Sequence, residues 1–219
     1  MSAVGMKHLV AAPIASEPTG QAITYGHGLV MGPARAANIN FERNTDPLYG
    51  DDVEQDNDNG ITGGTIDTET TQMTGEQRVA LLGEKAVENS DGEYEGTDAA
   101  APHIGLGFLQ VIREKDMTTQ RINTRYWGWW FYKVQFGETA ISGATKEGKI
   151  AWQNPKVTGR MMGVYNDASG VAKFYVRKEF ETASACIVWL DGKANIAAQA
   201  ASNQTEPNQT DPDQTEPNH

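Results

Sequence analysis

From Glu42 to Asp58 the chain sets seven carboxylates (Glu42, Asp46, Asp51, Asp52, Glu54, Asp56, Asp58) against one base, Arg43, a net charge of −6 in 17 residues. Carboxylates at that density could hold a hard cation such as calcium through oxygen ligands. The spacing of an EF-hand loop is missing: counting back from Gly60, the first ligand position falls on Gln55 and the twelfth on Ile66. Asp51 and Asp52 could act as the paired acids of a glycosidase, but neighbours on a strand point apart. The run reads first as a solvated acidic face, with an irregular calcium site as the sharper alternative.

Other chemistry-bearing residues are scattered. His8, His27, His103 and His219 lack metal-ligand spacing. No nucleophile elbow, P-loop or zinc-protease motif occurs. Gly105-Leu106-Gly107 lacks the later glycine and following helix of a dinucleotide fingerprint. The one cysteine, Cys186, rules out an internal disulfide framework and reads as a small core residue rather than a nucleophile. The expectation is a protein that is not an enzyme and uses no cofactor or metal. A formal net charge of −11 disfavours both phosphate attraction and an anionic membrane surface. No secretory signal or membrane span is visible, so a reducing cytoplasm is the expected site of synthesis.

The elements around these residues are dominated by one strand. Residues 125–136 are rich in aromatic and β-branched side chains, which favour a pleated, half-buried backbone. Strict alternation puts Tyr126, Trp130, Tyr132, Val134 and Phe136 on one face. Trp127, Trp129 and Phe131 take the other. Each buried aromatic hides roughly 150–250 Å². So much apolar surface needs a cover on the second face: another sheet, a helix or a neighbouring subunit.

Around it the pattern predicts a short strand at residues 6–15 and a longer one at 28–43, then a polar, acidic segment at 43–60. That segment reads as a long exposed loop or as a hairpin whose residues 47–49 return along 34–42. Residues 61–71 form a threonine-rich strand. Thr74-Gly75-Glu76-Gln77 is a capping box opening a short helix that stops at Gly83, with Val79 and Leu82 inward. Residues 88–102 read as a loop. Ile104, Leu106, Phe108 and Ile112 mark a strand that pairs in an antiparallel hairpin with the aromatic one. Further strands are expected at 148–163 and 172–180, and a final helix capped by Thr182 with Ala185, Val188 and Trp189 inward. Residues 1–197 thus read as one mainly β domain, an antiparallel sandwich or partial barrel with one flanking short helix and a short C-terminal helix. Residues 198–219 hold three tandem five-residue repeats ending in Pro207, Pro212 and Pro217, and read as a disordered tail. Two Asn-x-Thr triplets there, at Asn203 and Asn208, are weak glycosylation matches.

Four segments in order carry a resemblance. They are Lys7-His8-Leu9-Val10-Ala11-Ala12-Pro13-Ile14 and Asp46-Pro47-Leu48-Tyr49-Gly50-Asp51-Asp52-Val53-Glu54, then Thr62-Gly63-Gly64-Thr65 leading into Leu81-Leu82-Gly83. The last is Ile104-Gly105-Leu106-Gly107-Phe108 followed by Trp130-Phe131-Tyr132-Lys133-Val134-Gln135-Phe136. Across residues 6–190 the chain resembles the major tail proteins, or tail tube proteins, of long-tailed bacteriophages with non-contractile tails.

The resemblance implies a structural virion protein, made in the bacterial cytoplasm and placed in the tail. Copies would assemble into rings, generally hexameric, whose sheets merge into one large β-barrel and stack into a tube for genomic DNA. Implied partners are the chain itself, the tape measure, tail terminator and distal tail proteins, and DNA in transit without specific binding. Glu42, Asp46, Asp51, Asp52, Glu54, Asp67 and Glu69 become candidates for the lumen or the ring-to-ring surface. Carboxylates there would repel phosphates over about a Debye length, roughly 8–10 Å. Tyr126, Trp127, Trp129, Trp130, Phe131, Tyr132 and Phe136 become core or inter-subunit residues. The rivals are the tube of a contractile tail or tailocin and, from a different class, a carbohydrate-binding sandwich using Trp127 and Trp129 as a sugar platform.

Overall fold

The aromatic strand and its hairpin partner organise the molecule. The computed structural model describes residues 2–50, 53–86, 92–94, 100–115, 117, 120–137 and 154–196. Its strands are β1 (Ser2–Ser16), β2 (Thr24–Tyr25), β3 (Leu29–Val30), β4 (Ala34–Arg43), β5 (Asp46–Gly50), β6 (Val53–Asp58) and β7 (Ile61–Thr70). They continue with β8 (Lys85–Ala86), β9 (Glu93–Tyr94), β10 (His103–Lys115), β11 (Ile122–Gly137), β12 (Lys156–Met161) and β13 (Tyr175–Phe180). The helices are α1 (Gly75–Leu82) and α2 (Ala183–Lys193).

One nine-stranded antiparallel sheet runs β2-β1-β10-β11-β12-β7-β4, with β3 on β1 and β13 on β11. The chain is mainly β, and this sheet is not closed into a barrel. It curls instead, bringing the core-facing residues of β4 (Ala37, Ile39, Phe41) against the same cluster as Leu9, Phe108 and Phe131. A cleft of about 260 Å³, lined in part by Ala3, Met6, Ala37, Ile39, Phe108 and Trp129, lies between the start of β1 and β4.

Strand β11 is buried on both faces, and the cover comes from the chain itself. Trp130 and Tyr132 share one cluster with Cys186, Leu190 and Ala194 of the α2 region. Trp129 and Phe131 lie in the other, inside the curl. Strict alternation breaks between them: Ile104 pairs with Val134 but Leu106 with Phe131, so β11 spends three residues where β10 spends two. Such a bulge inverts the facing of everything beyond it. Val134 and Phe136 therefore join Phe131 rather than Trp130, which corrects the grouping expected from alternation.

Both helices start where expected. Thr74 caps α1 through its hydroxyl, Gln77 closes the capping box, and Gly83 ends the helix at φ 72°. A Cβ at Gly83 would lie 2.7 Å from the Ala100 carbonyl oxygen, so the left-handed turn and the close approach both require glycine. The buried residues of α1 are Leu81 and Leu82; Val79, expected inward, is exposed. Thr182 caps α2 and accepts from the Ala185 N–H. The inward stripe of α2 is Ala183, Cys186, Ile187 and Leu190, the i, i+3, i+4, i+7 spacing of one helix face. Trp189 packs beside it as expected, whereas Ala185 and Val188 fall on the far side, Val188 being 71% exposed.

The acidic segment does not return along β4. It forms its own hairpin, β5 with β6, while β4 pairs with β7. Pairing Ala37 with Thr68 and Ile39 with Ile66 puts both strands' apolar sides into the core, an alternation that residues 46–58 do not offer. Arg43 Nη1 donating to the Asn59 carbonyl (2.9 Å) and Asn44 N–H to the Gly60 carbonyl (2.8 Å) pin the base of this arm. The strand expected over 28–43 is interrupted before β4, where Gly32 adopts φ 51° and Pro33 follows. Within the loop expected at 88–102, β9 pairs with β8. Of the strand expected at 148–163, residues 156–161 are found and 148–153 lie outside the described residues, as does the repeat tail at 198–219.

Candidate functional site

The outer face of the β4–β7–β12 wall gathers three of the seven candidate carboxylates. Asn38 stands opposite Asp67 and Ala36 opposite Glu69 across β4 and β7. Thr158 stands opposite Asp67 and Lys156 opposite Glu69 across β7 and β12. The period-2 alternation of β7 produces this: Gly64, Ile66, Thr68 and Thr70 are buried, and Thr65, Asp67 and Glu69 take the outer side.

These carboxylates are not a free anionic lining. Asp67 accepts from the Thr158 hydroxyl at 2.5 Å. Glu69 accepts from Asn154 at 2.9 Å and meets Arg35 at 3.4 Å. Glu42 meets Arg160 at 3.5 Å. Three acids here stand with three bases, Arg35, Lys156 and Arg160, so the wall is charge-balanced. Ion pairs this exposed contribute no more than about 1 kcal/mol each; their weight is in matching the cations. Of the remaining candidates, Asp46 and Glu54 lie on the paired strands of the arm, and Asp51 and Asp52 lie outside the described residues. Residues 46–58 hold six acids and no base, so the arm is strongly acidic where this wall is balanced.

The aromatic candidates are held in place by polar contacts as well as packing. Trp130 donates to the Tyr25 hydroxyl (3.3 Å), which donates to the Tyr132 carbonyl (2.8 Å). Burial pushes the Tyr25 phenol well above its ordinary range, which keeps it a neutral donor. Trp129 donates to Gln110 at 3.0 Å. Trp127 is half-buried: it donates to Glu179 at 3.3 Å, and the Arg177 guanidinium lies 4.1 Å from its ring centre. Arg177 is also 5.4 Å from Trp129. A stacked sugar needs a bare aromatic face, and the guanidinium occupies one face of Trp127.

Three further clusters escaped the sequence reading because their members are far apart along the chain. His8, on β1 at φ 54°, meets Asp191 of α2 at 2.7 Å. His27 bonds the Asn195 carbonyl at 3.2 Å nearby, beside a cavity of about 650 Å³. Lys133 meets Glu17 at 2.6 Å. Asp167 is held down to about 2 by hydrogen bonds from Lys173 and Ser169 in a surface turn. Burial pushes the Cys186 thiol up to about 11, the chemistry of an inert core residue. Among the described residues no cluster of three or more His, Cys, Asp or Glu is placed to hold a metal ion, and no helix is long and apolar enough to cross a membrane.

No protein-family model matches the chain, and no curated protein matches it either.

Proposed function

We propose that this chain is a self-assembling structural subunit, the tail tube protein of a long-tailed bacteriophage with a non-contractile tail. Copies form stacked, hexameric rings through which genomic DNA passes to the host. The reading rests on the four-segment resemblance and, in the structure, on one observation: the sheet is open and ends in β4, whose second edge is unpaired among the described residues and faces the start of β1 across the cleft. Over Ala34–Arg43, β4 pairs with β7 on one side and with nothing described on the other. Its sequence holds no proline or lysine, the usual guards of an exposed edge, and its register shifts are confined to its two ends. Such an edge is a template for a strand from another copy. Head-to-tail pairing of that kind closes into a ring when the rotation fits, and the merged sheets enclose an aqueous bore.

The aromatic strand adds nothing to this reading, because α2 and the curl already cover it. The β4–β7–β12 wall supports it differently from the repulsion first expected. As the lumen surface it would resist DNA by leaving few free cations: Arg35 and Arg160 are tied to carboxylates. Each phosphate contact forgone keeps the DNA mobile. The β5–β6 arm makes contacts between copies. The tape measure, tail terminator and distal tail proteins meet the ends of the tube, and a sheath partner would move the assignment to a contractile tail.

Electron microscopy of the concentrated purified protein tests the proposal. Hollow tubes or rings are expected; a monodisperse monomer at all concentrations overturns it. Removal of residues 43–60 is expected to leave a soluble monomer. Tryptophan quenching by soluble glycans would instead favour the sugar-binding module.

A further inference from the structure

Most cations on this surface already hold a partner. Arg125 meets Glu179 and Glu181, Lys133 meets Glu17, Arg177 covers Trp127, and Arg35 and Arg160 hold the wall carboxylates. Arg113, Lys115 and Arg121 are exposed and have no ion-pair partner among the described residues. All three flank the turn of the β10–β11 hairpin. The outermost described pair of β1 is Ser2–Arg113, and β13 ends at the Phe180–Tyr126 pair. From Glu114 and Asn123 outward, β10 and β11 pair only with each other among the described residues. Cross-strand pairs Arg113–Thr124 and Lys115–Ile122 set both cations and Ile122 on one face. Ile122 is 65% exposed and Met117, in the turn, 81%. The tip thus exposes three cations and two apolar side chains, with Glu114 on the other face of β10.

The complementary feature is the β5–β6 arm. Its two strands carry Asp46, Glu54, Asp56 and Asp58, with Leu48, Tyr49 and Val53 among them. No base occurs between Arg43 and Arg78. We propose that the β5–β6 arm of one copy docks on the β10–β11 tip of a second copy, acids against Arg113, Lys115 and Arg121, and apolar residues against Met117 and Ile122. A second copy is the occupant because the chain is read as self-assembling and because the arm and the tip, on strands separated in the sheet by β12, β7 and β4, carry opposite charge. Opposed charges steer such an encounter and reject wrong partners. This inference rests on the self-assembly reading above and names the receiving surface within it.

Charge swapping in the full chain tests it. One variant carries Arg113→Glu, Lys115→Glu and Arg121→Glu; a second carries Glu54→Lys, Asp56→Lys and Asp58→Lys; a third combines both. Assembly is read by sedimentation and electron microscopy, and folding by thermal melting. Each single set is expected to reduce the assembled fraction at least tenfold without lowering the melting temperature, and the combined set to restore it. Rising salt should weaken wild-type assembly. If wild type never assembles, the self-assembly reading fails. If wild type assembles and either single set does too, or the combined set restores nothing, only this pairing is overturned. Loss of retained nucleic acid with assembly intact in the first variant would likewise overturn it, in favour of a phosphate-binding tip.

Discussion

Near its base the β10–β11 hairpin is covered on both faces; towards its tip the same two strands are bare. At the base, Leu109 and Trp130 face α2 while Leu106 and Phe131 face the curl, all fully buried. At the tip, Lys115, Arg121 and Ile122 are exposed. The aromatic base therefore needs no neighbour to explain it, since helix and sheet supply its cover. The demand for a partner shifts to the tip, and to the free edge of β4. Apolar content alone is a poor guide to an interface; what matters is apolar or cationic surface that the chain leaves uncovered.

The largest test of that contrast is Trp130→Ala. Trp130 is fully buried, 5.1 Å edge-on to Tyr25, and hydrogen-bonded to its hydroxyl. Its loss should cost about 3–5 kcal/mol, with the Tyr25 hydroxyl losing its donor but keeping its bond to the Tyr132 carbonyl. At this chain length that lowers the melting temperature by about 10 °C. Next comes Gly128→Ala. An added Cβ would lie 2.8 Å from the Trp189 ring and 3.0 Å from Cys186 Sγ, so α2 must lift. The expected cost is about 1–3 kcal/mol, visible in near-ultraviolet circular dichroism. The same variant should speed alkylation of Cys186 at pH 8. In wild type that thiol is fully buried and raised to about 11, and should stay unreactive until unfolding. Equal alkylation rates in the two proteins would show that α2 does not seal the base.

Local signals in the sequence were readable and long-range ones were not. The capping box at Thr74, the Thr182 cap and the Gly83 stop depend on neighbours within one helical turn. The β10–β11 hairpin announces itself by its apolar runs. The bulge in β11 is invisible to a period-2 pattern because both faces there are apolar, so alternation carries no information about which residue is extra. The phase of α2 was misread for the same reason: Ala185, Cys186, Ile187 and Val188 are all apolar, and only the sheet selects Cys186 and Leu190. Of the acidic candidates, the outward side of Asp67 and Glu69 follows from the alternation of β7. Their neutralisation by Arg35, Asn154 and Thr158 does not, since those partners sit on β12, ahead of it, or at the start of β4. In the run Arg113-Glu114-Lys115 alternation alone puts both bases on one face. Only the register adds Ile122 of β11 to that face.

A smaller effect sharpens the base of the comparison from the helix side. Thr182→Ala removes the side-chain acceptor for the Ala185 N–H at the start of α2. The expected loss is about 1 kcal/mol, read by urea denaturation, with Thr182→Ser recovering most of it. A loss as large as that from Trp130→Ala would mean that α2 detaches wholesale once its cap is gone.

The smallest expected effect is the most discriminating. Met117→Ser with Ile122→Ser removes apolar side chains that the isolated chain leaves in water, so stability should stay within about 0.5 kcal/mol of wild type. Both residues lie beyond the last cross-strand cover from β1 and β13, and the substitutions leave the backbone pairing of Lys115 with Ile122 intact. In the assembled state the outcome should differ, because residues buried between copies contribute only there. Subunit dissociation on dilution, followed by light scattering, should therefore rise while the monomer's melting curve is unchanged. A monomer destabilised as much as by Gly128→Ala would put Met117 and Ile122 in the chain's own core, and the two halves of the hairpin would then be alike.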